Sequence, residues 1–195
     1  MFRHIVMELN ETFKFYGYYN ISNILRILDD NKLDWNEFIG RQKACFEMVN
    51  TQTIKIVYEN NFFNTNFNPV FTKNYVYFEE DLNNICEIIK KQTDCSGYLL
   101  RAILVKLYKK STIPNHVDSA NGTFEFSRRI HVPIITNENC IFNVGEESIN
   151  MKVGEIWEMN NDKLSHSVVN DGDEDRIHLI IDWCEKTPTE VRVNF

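Results

Sequence analysis

The sequence contains little glycine and little proline, with seven Gly and four Pro among 195 residues. Collagen-like, linker-rich and low-complexity chains contain far more of both residues, so these classes are excluded. Hydrophobic residues make up 43% of the chain, a share that excludes an intrinsically disordered protein. A chain of this length is expected to fold as one compact domain and to bury a core without disulfides or a structural metal.

Paired cysteines, long apolar runs and an excess of positive charge are also missing. The five cysteines are odd in number and show no CxxC spacing, which favours reduced thiols. Charged residues interrupt the apolar residues of 1–20, and no run approaches the ~20 apolar residues of a membrane helix. Acidic residues outnumber basic ones, 28 to 21, which disfavours a general nucleic-acid binder. We therefore expect a cytoplasmic protein that binds neither nucleic acid nor membranes.

Helical spacing is a property of the first half of the chain. Apolar residues within 21–28 and within 82–89 recur at i, i+3, i+4 and i+7, which predicts two amphipathic helices. Between them, residues 51–58 predict a strand, and the Asn- and Phe-rich residues 60–74 predict a loop. Long loops are often functional, so 60–74 is a candidate substrate lid, with surface variability as the alternative.

From residue 97 onward the sequence consists of short extended segments separated by turns. Seven segments have the composition of strands: 97–108, 128–135, 140–144, 148–153, 155–159, 166–169 and 176–183. The intervening residues are rich in Asn, Asp and Gly, which are typical of turns. This order predicts a mainly β fold of the sandwich or jelly-roll type. We expect residues 1–96 to form an N-terminal helix and strand support for a β core over 97–195.

The candidate chemistry depends on the histidines, four of which lie in the β-rich half. On an extended backbone, His116 and Asp118 point to the same side, so they could share a cation. His166 follows about fifty residues later. Two histidines and a carboxylate form the facial triad of non-haem Fe(II) oxygenases, which leaves half of an octahedron open. The alternatives are a surface histidine beside a turn cap for the first pair, and a core or interface histidine for His166.

Two arginines and a further histidine also stand out in the β-rich half of the sequence. Arg129 and His131 lie on one face of their predicted strand, and Arg176 begins the last strand. The planar guanidinium of Arg176 would match a carboxylate of a dicarboxylate co-substrate. Arg176 could instead pair with Asp173 or Asp175 at the surface, where such pairs contribute little. Structural ion pairing is the alternative for Arg129.

Five segments between about residue 97 and residue 184 carry a resemblance to a known family: PNHVD, RRIHVPI, INMKVGEIWEMN, LSHSVVN and DRIHLIID. In them the chain resembles the aspartyl/asparaginyl β-hydroxylase family of Fe(II)- and 2-oxoglutarate-dependent oxygenases. It is most similar there to the bacterial L-proline cis-4-hydroxylase branch, whereas the first hundred residues match more loosely. The membrane-anchored animal members have glycine at the ligand carboxylate, but this chain has Asp118.

The resemblance implies a fold and a metal site. The implied fold is a double-stranded β-helix core (jelly-roll, cupin-like) with N-terminal helical support. The implied iron ligands, which would be the catalytic centre, are His116, Asp118 and His166. The implied cofactors are Fe(II), 2-oxoglutarate as co-substrate, and O₂.

The resemblance also implies a co-substrate site and an activity. Arg176 would bind the distal carboxylate of 2-oxoglutarate, with His131 and Arg129 as further contacts. The expected activity is hydroxylation of a C–H bond in a small-molecule partner, a free amino acid or a similar polar molecule. Two alternatives stay open: hydroxylation of Asp, Asn or another residue in a protein or peptide, and a β-helix binding module without catalysis.

Overall fold

The computed structural model describes residues 11–30, 32–59, 68–94, 96–118, 127–161, 163–185 and 192–193. In chain order its elements are β1 (Phe13–Tyr18), α1 (Ser22–Asp29), α2 (Gly40–Ala44), a short 3-10 helix (Phe46–Met48), β2 (Thr51–Glu59), β3 (Pro69–Phe71), α3 (Tyr75–Thr93), β4 (Tyr98–Leu107), β5 (Ser111–His116), β6 (Ser127–Ile135), β7 (Cys140–Val144), β8 (Glu147–Ile149), β9 (Glu155–Met159), β10 (His166–Asn170), β11 (Arg176–Cys184) and β12 (Arg192–Val193). None of the described helices combines the length and the apolar character that crossing a membrane requires.

The strands form two sheets. The larger sheet has the order β1-β9-β6-β11-β4-β2-β3-β12, and the smaller sheet has the order β5-β10-β7-β8. Apart from the parallel pair β3 and β12, neighbouring strands run antiparallel. The predicted mainly β, jelly-roll architecture is confirmed. Strands from both sides of the predicted boundary at residue 97 share the larger sheet, since β1 pairs with β9 and β2 with β4.

The two predicted amphipathic helices, α1 and α3, cover one face of the larger sheet. Helix α3 begins earlier than its apolar spacing indicates, at Tyr75. The apolar faces of both helices are buried against the sheet: Ile24, Ile27, Phe78, Leu82, Ile85 and Ile89. Burying each of these side chains fully stabilises the fold by about 1.5–3 kcal/mol. This core holds the larger sheet in place and leaves its other face toward the smaller sheet.

In strand β11, apolar and polar side chains are distributed between the two faces of the larger sheet. All nine of its residues are buried. One set packs in the helix-covered core and is apolar: Ile177, Leu179, Ile181 and Trp183. The alternate set faces the space between the sheets and includes three polar residues: Arg176, His178 and Asp182. Buried polar side chains require hydrogen-bond or charge partners, so this face of the sheet is the candidate location of a functional site.

The predicted strand over 148–153 is wrong from residue 150 onward. Strand β8 ends at Ile149, and the chain turns before β9. The side-chain amide of Asn150 donates to the backbone carbonyls of Asn137 and Cys140, at 2.8 and 2.7 Å. These hydrogen bonds fix the backbone at the preceding turn, so the alternation of apolar and polar residues does not continue as a ladder.

The predicted loop over 60–74 is also only partly correct. Residues 69–71 form β3, which pairs with β2 through Val57 and Phe71. An antiparallel partner was already available in β2, and this pairing gives the short apolar segment its hydrogen bonds. Residues 60–67, which contain most of the proposed lid, lie outside the described residues.

Gly154 permits a close crossing just before β9. Its φ is +77°, and a Cβ atom there would lie 2.6 Å from the carbonyl oxygen of Tyr19. We expect Gly154→Ala to lower the free energy of unfolding by about 1–3 kcal/mol more than the control, measured by urea denaturation, because its Cβ would clash with a backbone oxygen in addition to the strain of a positive φ. Gly145→Ala is the control, since its φ is +56° but the nearest atom, on Leu164, is 3.5 Å away. Equal losses in both variants would show that the contact with Tyr19 contributes nothing.

Candidate metal centre

Two of the predicted metal ligands lie side by side on adjacent strands of the smaller sheet. His116 ends β5 and His166 begins β10, and the two residues are directly paired in the antiparallel register. Their ring centroids are 4.2 Å apart. The Nδ1–H of His116 donates to the carbonyl oxygen of Pro114 at 2.8 Å, and a carbonyl only accepts. The lone pair of His116 is therefore on Nε2, where a metal ligand needs it.

Asp118 completes the cluster two residues after β5. Its Oδ1 lies 4.0 Å from His116 Nε2, and its Oδ2 lies 3.8 Å from His166 Nε2. One ligand atom from each of the three residues lies within 4.8 Å of the others, so a single metal ion could bind all three. The structure thus brings together the three residues that the sequence selected.

Hydrogen bonds hold the Asp118 carboxylate in an ionised state. Its Oδ2 accepts from Asn161 Nδ2 at 2.6 Å and also from Arg129 Nη1. Burial by itself would raise the pKa of this carboxyl group, but the charge of Arg129, together with the hydrogen bond from Asn161, holds the pKa well below its usual range. An ionised, oriented carboxylate is the form that binds a metal.

His166 is uncharged at neutral pH. Burial lowers the pKa of His166 to about 4, against the opposing effect of the Asp118 carboxylate. A metal binds the neutral imidazole, so no proton has to be displaced from this ring near pH 7. The ring also stacks on Phe142 of β7, with an interplanar angle of 14°. The apolar wall of the smaller sheet thereby restricts the orientation of this imidazole.

Arg176 is buried without a counter-charge among the described residues. Its side chain is 1% exposed, and its Nε has no hydrogen-bond partner. Asp173 and Asp175, its alternative partners, contact lysines of the β4–β5 turn instead. Burial lowers the pKa of Arg176 to about 10. A buried cation without a counter-charge is costly, so the position of Arg176 favours binding of an anion.

Two buried histidines lie beside this guanidinium. Nη2 of Arg176 is 2.5 Å from Nδ1 of His178, which in turn is 3.4 Å from Nδ1 of His131. Burial, followed by the charge of Arg176, keeps the pKa of both imidazoles well below the usual value. Nε2 of each ring is buried without a hydrogen-bond partner. The structure therefore places His131 close to Arg176. It adds His178 to this group of residues, and the sequence signal for His178 is the strand face that it shares with Arg176.

Arg129 is positioned differently from a co-substrate ligand. Its Nε and Nη2 donate to the carboxylate of Asp182 at 2.9 and 3.3 Å, while its Nη1 donates to Asp118. The structural ion pairing given as the alternative is the arrangement observed. The predicted contact of Arg129 with 2-oxoglutarate stays a prediction that the geometry does not favour.

The predicted ligands line one cavity between the two sheets. His116, Asp118, Arg129, His131, His166 and Arg176 all contribute to its wall. The remaining lining is apolar: Met48, Val105, Ile113, Phe142, Val168 and Ile180. A few convergent polar groups in an apolar wall are typical of a small-molecule site.

Comparisons with solved structures show the same fold in three oxygenases. An oxidoreductase of the 2OG-Fe(II) oxygenase family from Burkholderia pseudomallei has 13% identity and a TM-score of 0.64, covering 89% of this chain and 83% of that chain. A Pseudomonas putida prolyl-4-hydroxylase has 7% identity and a TM-score of 0.56, covering 91% and 95%. A Trichoplax adhaerens prolyl hydroxylase, in complex with a hypoxia inducible factor peptide fragment, has 7% identity and a TM-score of 0.56, covering 90% and 84%.

The family assignment comes from the sequence itself. The comparison with curated proteins gave no match. The model of the family described as Aspartyl/Asparaginyl beta-hydroxylase matches residues 26–186. This range contains every candidate site residue and begins well before the region of strongest resemblance. The chain therefore belongs to the aspartyl/asparaginyl β-hydroxylase family.

Proposed function

We propose that the protein is an Fe(II)- and 2-oxoglutarate-dependent dioxygenase that hydroxylates a C–H bond of a free amino acid or a similarly small polar molecule. One observation carries this proposal: a two-histidine, one-carboxylate cluster shares a cavity with a buried arginine that has no counter-charge among the described residues. Membership of a hydroxylase family supports the same reaction class.

The three proposed ligands fit Fe(II). Two imidazoles and one carboxylate form a facial set that leaves open positions for further ligands. Pro114 fixes the tautomer of His116, and Asn161 orients Asp118, which are the supporting contacts that metal ligands ordinarily have. When bound, Fe(II) together with 2-oxoglutarate and O₂ would supply the oxidising power that an unactivated C–H bond requires.

The buried groups beside the cluster fit a dicarboxylate. A guanidinium can only donate, so Nδ1 of His178 accepts from Arg176, and the proton of this neutral ring is on Nε2. Nε of Arg176 and Nε2 of His178 are then two donors without acceptors. A carboxylate of 2-oxoglutarate in the cavity would accept from the guanidinium of Arg176, which lines it, and would neutralise the buried cation. The interaction would be strong because Arg176 is buried, where charges attract each other more strongly than in water.

A peptide substrate is the second candidate. The Trichoplax adhaerens enzyme with this fold was solved with a peptide fragment, so the architecture also accommodates extended substrates. A binding module without catalysis is disfavoured, because the complete ligand set and the arginine are all present.

A substrate screen distinguishes these functions. The full chain is loaded with Fe(II) anaerobically, then given 2-oxoglutarate, O₂ and either free amino acids or peptides containing the same residues. We expect at least one free amino acid to raise succinate release above the uncoupled background and to gain one oxygen atom by mass spectrometry. Stimulation by peptides alone would support the second candidate. Absence of both metal binding and succinate release would refute the proposed chemistry.

A further inference from the structure

We infer that Asp182 is a positioning residue for the metal-binding carboxylate Asp118 and acts on it through Arg129. The inference rests on the proposed function, since it concerns the proposed iron site. It assigns a role to a buried carboxylate that is not itself part of the metal-ligand cluster. The contact that carries it is a single guanidinium that bridges the two carboxylates.

Asp182 lies in the middle of a row of charged residues across the larger sheet. In the strand register Asp182 of β11 is paired with Arg129 of β6 on one side and with Arg101 of β4 on the other. Directly paired residues project to the same face of a sheet, here the face toward the cavity. Arg101 Nε is 2.7 Å from Asp182 Oδ2, and Arg129 Nε is 2.9 Å from Asp182 Oδ1. Two cations on adjacent strands thus hold one carboxylate in place.

Arg129 transmits this arrangement to the metal cluster. Two edges of its guanidinium are used: Nε and Nη2 donate to Asp182, and Nη1 donates to Asp118. Both this hydrogen bond and that of Asn161 end on Oδ2 of Asp118. The other oxygen, Oδ1, accepts neither of these two hydrogen bonds and lies 4.0 Å from His116 Nε2.

The burial of this row of charged residues indicates a role other than stabilising the fold. Asp182 is 1% exposed, and both arginines are buried. A fully buried ion pair is often no more stabilising than apolar residues of similar volume, so stability alone does not account for it. Its geometric effect is definite, however, because a planar guanidinium anchored at one edge has a fixed direction at the other. Without Asp182, Arg129 would lose the hydrogen bonds from Nε and Nη2 that set its direction, and its contact with Asp118 would be less restrained.

The test is the metal affinity of Asp182→Asn in the full chain. Co(II) is titrated alone, without 2-oxoglutarate, and followed by its visible absorption. Loss of a group that orients a metal ligand costs about 10- to 100-fold in metal affinity, and we expect a loss in this range together with a changed Co(II) spectrum. The control is Glu158→Gln, which removes a buried ion pair with Arg128, 3.0 Å long, on the opposite face of β6. We expect Glu158→Gln to keep the wild-type affinity.

The possible outcomes separate this inference from the proposed function. Failure of the wild-type chain to bind Co(II) would refute the iron site itself. Wild-type affinity in a folded Asp182→Asn variant, or an equal loss in Glu158→Gln, would overturn only the positioning role. A separate 2-oxoglutarate titration of the Co(II)-loaded variant completes the test: weaker co-substrate binding at unchanged Co(II) affinity would make Arg129 a co-substrate contact and would also overturn the positioning role.

A second variant covers a folding failure. If Asp182→Asn shows no cooperative urea transition, Arg129→Lys replaces it, since an ammonium group keeps the charge but cannot bridge both carboxylates as a fork. We expect the same loss of Co(II) affinity from Arg129→Lys, and wild-type affinity would contradict the inference. If neither variant folds, the row serves stability and the positioning role is overturned.

Discussion

His166→Ala is expected to abolish Fe(II) binding and 2-oxoglutarate turnover. Two ligands, His116 and Asp118, would remain, and a facial site does not hold iron strongly on two ligands. The measurements are anaerobic Fe(II) titration by calorimetry and succinate release with saturating 2-oxoglutarate. The alanine leaves a small cavity beside Phe142, so folding is checked by urea denaturation before binding is compared.

Ser167→Ala is the matched control for that experiment. Ser167 is the next residue of β10, on its other face, where its hydroxyl accepts a hydrogen bond from Asn143 at 3.1 Å. It perturbs the same strand without touching the cluster, so Fe(II) affinity should be unchanged. Full Fe(II) affinity and normal succinate release in His166→Ala would refute the assignment of this centre.

Arg176→Ala is expected to weaken 2-oxoglutarate binding by about 2–5 kcal/mol, or roughly 30- to several-thousand-fold, because one end of a dianion would be left unpaired in a confined site. The measurement is a 2-oxoglutarate titration of the Fe(II)-loaded protein under anaerobic conditions. Arg176→Lys should recover only part of the affinity, since an ammonium group cannot make the two parallel hydrogen bonds of a guanidinium.

The same substitution should affect iron much less than co-substrate. Arg176 belongs to the larger sheet and makes no described contact with the three proposed ligands, so Fe(II) affinity is the internal control. Wild-type 2-oxoglutarate affinity in Arg176→Ala would place the co-substrate anchor at another residue. Parallel loss of both affinities would instead show that the substitution disrupts the cavity as a whole.

The metal cluster could be predicted from the sequence because its signals are local. The H-x-D step keeps His116 and Asp118 two residues apart, so they stay close in space although β5 already ends at His116. The resemblance then identifies His166 and Arg176, and the structure confirms that the histidines and Asp118 meet. The helices and most strands were predictable for the same reason, since their periodicity is readable within ten residues.

The supporting groups could not be predicted, because cross-strand register decides them. Asp182 contacts Arg129 only because β11 pairs with β6 in one particular alignment, and the two residues are 53 positions apart. Asn161 likewise reaches Asp118 across 43 positions, and nothing in a lone asparagine beside a turn marks it. The predicted strand over 148–153 fails from residue 150 onward for a different reason. The side chain of Asn150 donates hydrogen bonds to backbone carbonyls of the preceding turn, and the chain turns there although apolar and polar residues still alternate.

The pairing of His116 with His166 also links metal binding to folding. Strand β5 lies at one end of the smaller sheet, where β10 is its neighbour, and the two histidines come from segments about fifty residues apart. An unfolded chain does not hold these ligands together, so an ion that binds all three selects the native state. By mass action, free metal at 100 times its dissociation constant would add about 2.7 kcal/mol to the free energy of unfolding. The ion would thus hold the edge strand β5 against β10, and the stability of the fold would depend on the concentration of free metal.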